Sequence, residues 1–142
     1  IQSFILLLSE MVAVRLRKGG FSGRTISLVI RYSDFETLGK SRSINEPTAD
    51  GGAISQHALS ILKEFKLKGP LRLLGVSVSS LSPATEIPYL LPDYEKAEKA
   101  TRAMDEINQK YGKWTLRKAG VMPAQTFGVL KPPVPPNMRG IA

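Results

Sequence analysis

The first eighteen residues carry apolar side chains at the spacing of a helix. Positions three to four apart share one face of a helix, and that face here is apolar. Its members are Ile1, Ile5, Leu8, Val12 and Leu16. Arginine and lysine gather in the last turn, where cations suit the helix C-terminus, and Gly19–Gly20 follows directly. The pattern predicts a helix over residues 1–18 that the two glycines end.

Residues 24–32 alternate between apolar and polar side chains, which is the pattern of a half-buried strand. The apolar side holds Ile26, Leu28 and Ile30, and the other side holds Thr25, Ser27, Val29 and Arg31. Ser33 and Asp34 are typical turn residues. A second strand is predicted over residues 35–44, before Pro47 and a polar loop.

Further along the chain, the pattern predicts two more helices and a third strand. Thr48 or Asp50 is a candidate cap for a helix over 51–65, and a third strand is predicted over 71–81. A proline-punctuated linker over 82–92 precedes a charged helix over 93–111 and a short strand or extended segment to residue 122. Residues 123–142 form a proline-rich tail.

The order of these elements predicts an α+β fold. Helix–strand–strand–helix–strand packs as a two-layer sandwich, with an antiparallel-rich sheet and both helices on one face. We therefore assign residues 1–81 to one domain, 82–92 to a linker, 93–122 to a C-terminal helix with its extended segment, and 123–142 to a tail. The chain opens inside a helix at Ile1, which suggests that it was cut from a longer protein.

Composition narrows the function. The 142 residues include no cysteine, so disulfides and cysteine-based zinc sites are excluded and a cytoplasmic location is expected. The apolar start is eight residues long, whereas a membrane span needs about 20. The net charge of +8 suits a polyanion such as nucleic acid. His57 is the only histidine and lies in no catalytic pattern.

The second strand raises the main functional question, because it carries "KSRS" where a buried strand would carry apolar residues. Lysine and arginine among small hydroxyl residues let a phosphate backbone approach closely on an open sheet face. Lysines on an edge strand also prevent aggregation. The residues alone leave these two interpretations about equal. The absence of an aromatic row argues against base stacking.

Several segments, taken in order, resemble the little finger domain, the C-terminal DNA-binding domain of Y-family translesion DNA polymerases. They are a helix ending in "RLRK", then "GRTISLVIRYSDF", "SRS", "EPT", a second helix and "RLLGVSVS". The match is to members of the DNA polymerase IV and UmuC type and covers about residues 5–81. The segment "YEKAEKATRAMDEINQKYGKWTLRKAGVM" resembles the helix and end segment that follow this domain in many bacterial members.

The resemblance implies a fold and a role in lesion bypass and DNA repair. The family's sheet has four strands, and its first strand would lie before Ile1. Its open face holds primer–template duplex through backbone amides and a few cations. Catalysis there belongs to a palm domain whose carboxylates hold two Mg²⁺ ions. This chain is therefore expected to need no cofactor of its own and to bind DNA without polymerising it.

The resemblance also names candidate residues. The DNA-binding candidates are Arg24, Thr25, Arg31, Lys40, Ser41, Arg42, Ser43 and Arg72. Family members often carry a sliding-clamp peptide after this domain. Two segments of this sequence are candidates for it, and they contain Tyr89, Leu90, Leu91, Gln125 and Phe127. Neither segment fits that peptide well. The absent first strand would leave a sheet edge at which two copies could pair as a homodimer.

A second class of function stays open at this point. An RRM-like or ferredoxin-like sandwich could use the same sheet for a protein or RNA partner. An autonomous enzyme has no supporting set of residues. DNA binding that is lost near 0.2 M salt would favour the first class.

Overall fold

The computed structural model of the protein describes residues 1–84 and 92–123, with only the backbone described for residues 92–95. The chain divides into two compact units, residues Ile1–Ala84 and Thr85–Ala142. The first unit contains every strand that the described part of the chain forms. It therefore carries the sheet on which the predicted function depends.

Helix α1 spans Gln2–Gly19 and ends as the sequence predicts. Ile5, Ala13 and Leu16 are buried along its inner face. Gly20 follows in the left-handed conformation, with φ of 72°, and its N–H donates to the carbonyls of Arg17 and Leu16. A residue without Cβ adopts this conformation at little cost, which explains why the helix stops here.

Three strands form one antiparallel sheet. Strand β1 spans Phe21–Tyr32, β2 spans Thr37–Thr48 and β3 spans Leu71–Pro83. Their order across the sheet is β2-β1-β3, so β1 is central. The predicted α+β fold is confirmed. Strand β2 runs past the residue at which it was expected to end, because the β1–β2 register shifts between Gly23 and Thr25 and takes up extra residues there.

The core lies between one face of this sheet and two helices. Helix α2 spans Gly51–Glu64 and packs Ile54, Ala58 and Ile61 against the sheet and α1. The three apolar β1 residues that alternation selected are fully buried, namely Ile26, Leu28 and Ile30. From β3, the partly buried residues Leu74, Val76 and Val78 pack on the same cluster. Both helices of this unit thus cover one side of the sheet.

The start of α2 is fixed to α1 by polar contacts. Asp50 is the N-cap, and its carboxylate accepts a hydrogen bond from the Ala53 N–H at 2.8 Å. Arg17 of α1 donates from Nη1 to the carbonyl of Ala49 at 2.8 Å. The carboxylate of buried Glu10 lies so close to Gly51 that a Cβ added there would be 2.5 Å from its Cδ. Glycine therefore lets α1 approach the α2 N-terminus, where a carboxylate is favourable.

The second unit contains helix α3, which spans Pro92–Tyr111. The extended segment expected after it is absent, because the chain instead forms turns and a 3-10 helix at Ala119–Val121. Positive φ angles at Gly112 and Trp114 bend the backbone. Asn108 holds the bend by donating to the Leu116 carbonyl at 2.9 Å and accepting from the Leu116 N–H at 2.7 Å.

Candidate nucleic-acid interface

The sheet has a second face that no helix of the first unit covers. The β1 residues that alternate with the core are Thr25, Ser27, Val29 and Arg31. The register places Thr37, Gly39, Ser41 and Ser43 of β2 opposite them. On the other side of β1 it places Leu73, Gly75, Ser77 and Ser79 of β3. We call these twelve residues the open face.

Hydroxyl groups dominate the open face. Oγ of Ser27 lies 2.8 Å from Oγ of Ser41 across the β1–β2 pair. Oγ1 of Thr25 lies 3.2 Å from Oγ of Ser43 and 3.0 Å from Oγ of Ser80 on the opposite strand. Each hydroxyl can donate one hydrogen bond and accept two, so these pairs keep capacity for a ligand. Their short side chains also let a large partner reach the sheet.

One cation belongs to the open face among the residues that the structure describes. Arg31 is half-buried, and its Nε donates to Oγ1 of Thr37 at 2.8 Å. This bond orients the guanidinium group at the hairpin end of the sheet. Beside it, Val29 lies between Gly39 and Gly75. Because the two glycines have no side chains, the surface in the middle of the face lies close to the backbone. The sequence prediction for Arg31 rested on alternation, and the register confirms its place on this face.

The four residues of "KSRS" divide between the two sides of the sheet. Ser41 and Ser43 lie on the open face as expected. Lys40 and Arg42 pair with the buried residues Leu28 and Ile26, so they project toward the helix side. The expectation that the open face takes its cations from this strand is therefore wrong for these two.

A salt bridge explains why charged residues are tolerated on that side. Lys40 and Arg42 are both paired with Glu64 at the end of α2. Leu38 and Ile44, two residues to either side along the same face of β2, pack against the core. Lys40 and Arg42 therefore lie between two core-packing residues of β2 and contact the end of α2 at the edge of the helix layer.

Arg24 and Arg72 lie at irregularities of the sheet. Nη2 of Arg24 donates to the Asn45 carbonyl at 2.5 Å, beside the register shift of β1 and β2. The guanidinium carbon of Arg72 lies 4.5 Å from the centroid of the Phe35 ring, at the shift between β1 and β3. Both side chains are exposed, and neither belongs to a regular pair of the open face. A strict alternation of faces therefore assigns no side to either residue.

Sequence reasoning missed four hydroxyl residues as site candidates. Ser77 and Ser79 of β3 are exposed on the open face, and Ser80 reaches Thr25 through a positive φ of 54°. Thr37 accepts the hydrogen bond from Arg31. The alternation of "VSVSS" was a sufficient signal for the first two. The irregular backbone of Ser80 and the bond of Thr37 are visible only in the structure.

The clamp candidates Tyr89, Leu90, Leu91, Gln125 and Phe127 lie outside the described residues. Among the side chains that the structure describes, no three His, Cys, Asp or Glu groups come together to hold a metal ion. In the described residues, no helix is long and apolar enough to cross a membrane.

The fold and the open face together define the class of the first unit. The first unit is a two-layer α+β sandwich, and the sheet face that no helix of this unit covers carries mainly hydroxyl groups and small side chains. Residues 1–88 match the C-terminal domain of the impB/mucB/samB family. The chain therefore belongs to the impB/mucB/samB family of Y-family DNA polymerases, and its residues 1–88 correspond to the family's C-terminal domain. The resemblance seen in the sequence is confirmed.

Individual relatives agree with the family match. The chain is 34% identical over 134 residues to DNA polymerase IV of Pelotomaculum thermopropionicum, which covers 92% of this chain and 33% of that protein. It is 34% identical over 125 residues to DNA polymerase IV of Desulfatibacillum aliphaticivorans, which covers 84% of this chain and 32% of that protein. It is 40% identical over 79 residues to DNA polymerase IV of Streptomyces coelicolor, which covers 56% of this chain and 16% of that protein. The chain spans about a third of the length of the first two relatives.

Proposed function

We propose that this chain is a DNA-gripping part of a translesion DNA polymerase and that it holds primer–template duplex through the open face. The relatives that carry the same domain are named DNA polymerase IV. The chain corresponds to about a third of their length, and polymerisation is assigned to the remainder. In this proposal the chain binds DNA, acts in the cytoplasm and is catalytically inactive alone.

The observation that carries the proposal is the hydroxyl surface around Ser27 and Ser41, with Arg31 at its end. Contacts to phosphate and sugar come from hydroxyl side chains, backbone amides and cations, and they carry no sequence information directly. A polymerase accessory domain needs this kind of contact, because it must hold every sequence. Because the side chains of this face are mostly short, the convex backbone of a duplex can also lie close to the sheet.

The exposed arginines support the same proposal. Arg24 and Arg72 flank the open face at its two irregular ends, and the whole chain carries a net charge of +8. Cations at a rim attract phosphates over a Debye length of about 8–10 Å and raise the association rate. Lys40 and Arg42 remain predicted DNA contacts, but they would act from the edge of β2.

The open face disfavours the alternative of an RNA-binding sandwich. Single-stranded RNA is read largely by aromatic side chains on which bases stack. The twelve residues of the open face include no aromatic side chain. A duplex offers its phosphates without exposing base faces, so the composition of this surface suits a duplex better.

Two further partners stay predictions. Clamp binding would involve residues 89–91 or 124–130, which lie outside the described residues. A homodimer would use the sheet edge left by the missing first strand. In the described part of the chain, the outer edges of both β2 and β3 pair with no other strand. Light scattering that gives the mass of one chain at high protein concentration would exclude the dimer.

The test introduces one negative charge on the open face. In Ser41→Glu, a carboxylate replaces an exposed hydroxyl, and repulsion from phosphates should weaken duplex binding at least about tenfold. Gln56→Glu adds the same charge at an exposed position of α2 on the helix side and should have a much smaller effect. Fluorescence anisotropy with a labelled primer–template at low salt measures both affinities.

The two variants separate a local effect from a general one. Equal losses for Ser41→Glu and Gln56→Glu would show that only net charge matters and would remove the open face from the proposal. Both changes are at exposed positions, so thermal melting should show that each variant keeps the fold. An unmodified chain that fails to bind duplex at low salt would contradict the proposed function itself.

A further inference from the structure

Two cations of β2 share one carboxylate. Nη2 of Arg42 forms an ion pair with Oε1 of Glu64, and Nζ of Lys40 lies 3.3 Å from Oε2 of the same residue. Nζ of Lys40 also lies 5.4 Å from the centroid of the Phe65 ring. These residues are the basic part of the strand that first indicated DNA binding, and the structure shows them engaged with an anion of the protein itself.

The geometry resembles that of a bound phosphate group. Each oxygen of the Glu64 carboxylate takes one cation, as two oxygens of a phosphodiester would. Guanidinium and ammonium groups both bind carboxylate and phosphate oxygens through charge-assisted hydrogen bonds. The pair of β2 cations is therefore already arranged to hold an oxyanion at two points.

The contact is also weak enough to exchange. The side chains of Lys40, Arg42 and Glu64 are 45%, 42% and 41% exposed. Ion pairs with this exposure are screened by solvent and contribute little to stability. Glu64 is the last residue of α2, and the backbone of Phe65 after it is extended.

We propose that Glu64 is a built-in competitor of DNA, which occupies a phosphate site formed by Lys40 and Arg42 at the edge of β2. A phosphate of bound duplex displaces the carboxylate, and the affinity of the chain is lower than its cations alone would give. This inference rests on the proposed function, because it assigns a second site and an internal regulator to the same DNA-binding domain.

The charge around the site favours competition. Two cations and one carboxylate sum to a charge of +1, whereas the site without Glu64 would have +2. Lys63 and Lys66 are exposed and close to Glu64 in the sequence, so they add positive charge to this part of the chain. Because a polyanion responds to local charge density, Glu64 reduces the attraction at the point where it is otherwise highest.

The test is Glu64→Gln, with Glu46→Gln as its matched control. Both changes remove one negative charge, and Glu46 is exposed on β2, the strand that carries Lys40 and Arg42. Glu64→Gln should tighten duplex binding about threefold to tenfold beyond the control and steepen the salt dependence by up to about one unit. Anisotropy titrations between 50 and 200 mM salt, roughly the range in which phosphate contacts are resolved, give both quantities.

A second pair of variants identifies the site. In the Lys40→Ala/Arg42→Ala background, Glu64→Gln should give no more gain than Glu46→Gln, because the phosphate site is gone. Weaker binding by Glu64→Gln, or a gain equal to the control, would overturn the inference. So would a gain that persists without Lys40 and Arg42.

These outcomes are distinct from failure of the proposed function. Suppose that the unmodified chain binds duplex, that Ser41→Glu weakens this binding, and that Glu64→Gln has the same affinity as its control Glu46→Gln. In that case only the inference fails. If neither the unmodified chain nor Glu64→Gln binds duplex at low salt, the proposed function fails. Thermal melting of each variant shows whether the fold is retained.

Discussion

The two sides of strand β1 differ in every property that matters for this protein. Ile26, Leu28 and Ile30 are fully buried beneath two helices. Between them along the same strand, Ser27 carries a hydroxyl on a face that no helix of the unit covers. The period of two along a strand places stability on one side and the proposed binding on the other. Mutations at neighbouring positions should therefore have separable effects.

The largest effect is expected on the covered side. Leu28→Ala removes a side chain with no exposed surface and should lower the free energy of unfolding by about 2–5 kcal/mol. Val29→Ala, one residue along and half-buried on the open face, should cost less than about 1 kcal/mol. Urea denaturation measures both, and similar costs would contradict the assignment of faces.

A buried glycine and an exposed glycine of the sheet differ in the space around them. A Cβ at buried Gly23 would lie 2.2 Å from Cγ1 of Val78 and 3.1 Å from the Ser79 carbonyl oxygen, so Gly23→Ala should cost about 1–3 kcal/mol. A Cβ at Gly39 on the open face would meet its nearest atom, Cγ2 of Val29, at 3.6 Å. Thermal melting should leave Gly39→Ala close to the unmodified chain. A larger loss for Gly39→Ala than for Gly23→Ala would refute the packing described.

The smallest of these effects concerns the one open-face cation. Arg31→Ala should reduce the dependence of duplex affinity on salt by about one unit, because one phosphate contact is lost. Arg15→Ala removes the same charge from an exposed position on α1 and should leave the slope nearly unchanged. If the two variants have equal slopes, Arg31 contributes only to net charge.

The fold was largely predictable from local patterns. Alternation in β1 selected its buried residues, and Gly19–Gly20 marked the end of α1. The turns after α3 were not predictable, because Asn108 determines them through a hydrogen-bonded contact with Leu116, eight residues away.

The site was predicted less well. Lys40 and Arg42 share their side of β2 with Leu38 and Ile44, and this spacing already indicated the helix side. The composition of "KSRS" suggested one basic surface, whereas the strand presents its hydroxyls and its cations on opposite sides. Only the position of Glu64 shows why two cations lie beside a core, since its carboxylate is contributed by a separate helix.

The central claim is that duplex DNA covers the open face, and the absence of cysteine from the chain permits a direct test. Ser77→Cys places one thiol on the exposed open face, and Gln56→Cys places one on the exposed outer side of α2. The rate of alkylation of each thiol is measured with and without saturating primer–template. We predict that duplex slows alkylation of the cysteine at position 77 and leaves that at position 56 unchanged. Protection at position 56 alone, or equal rates with and without DNA at position 77, would contradict the account.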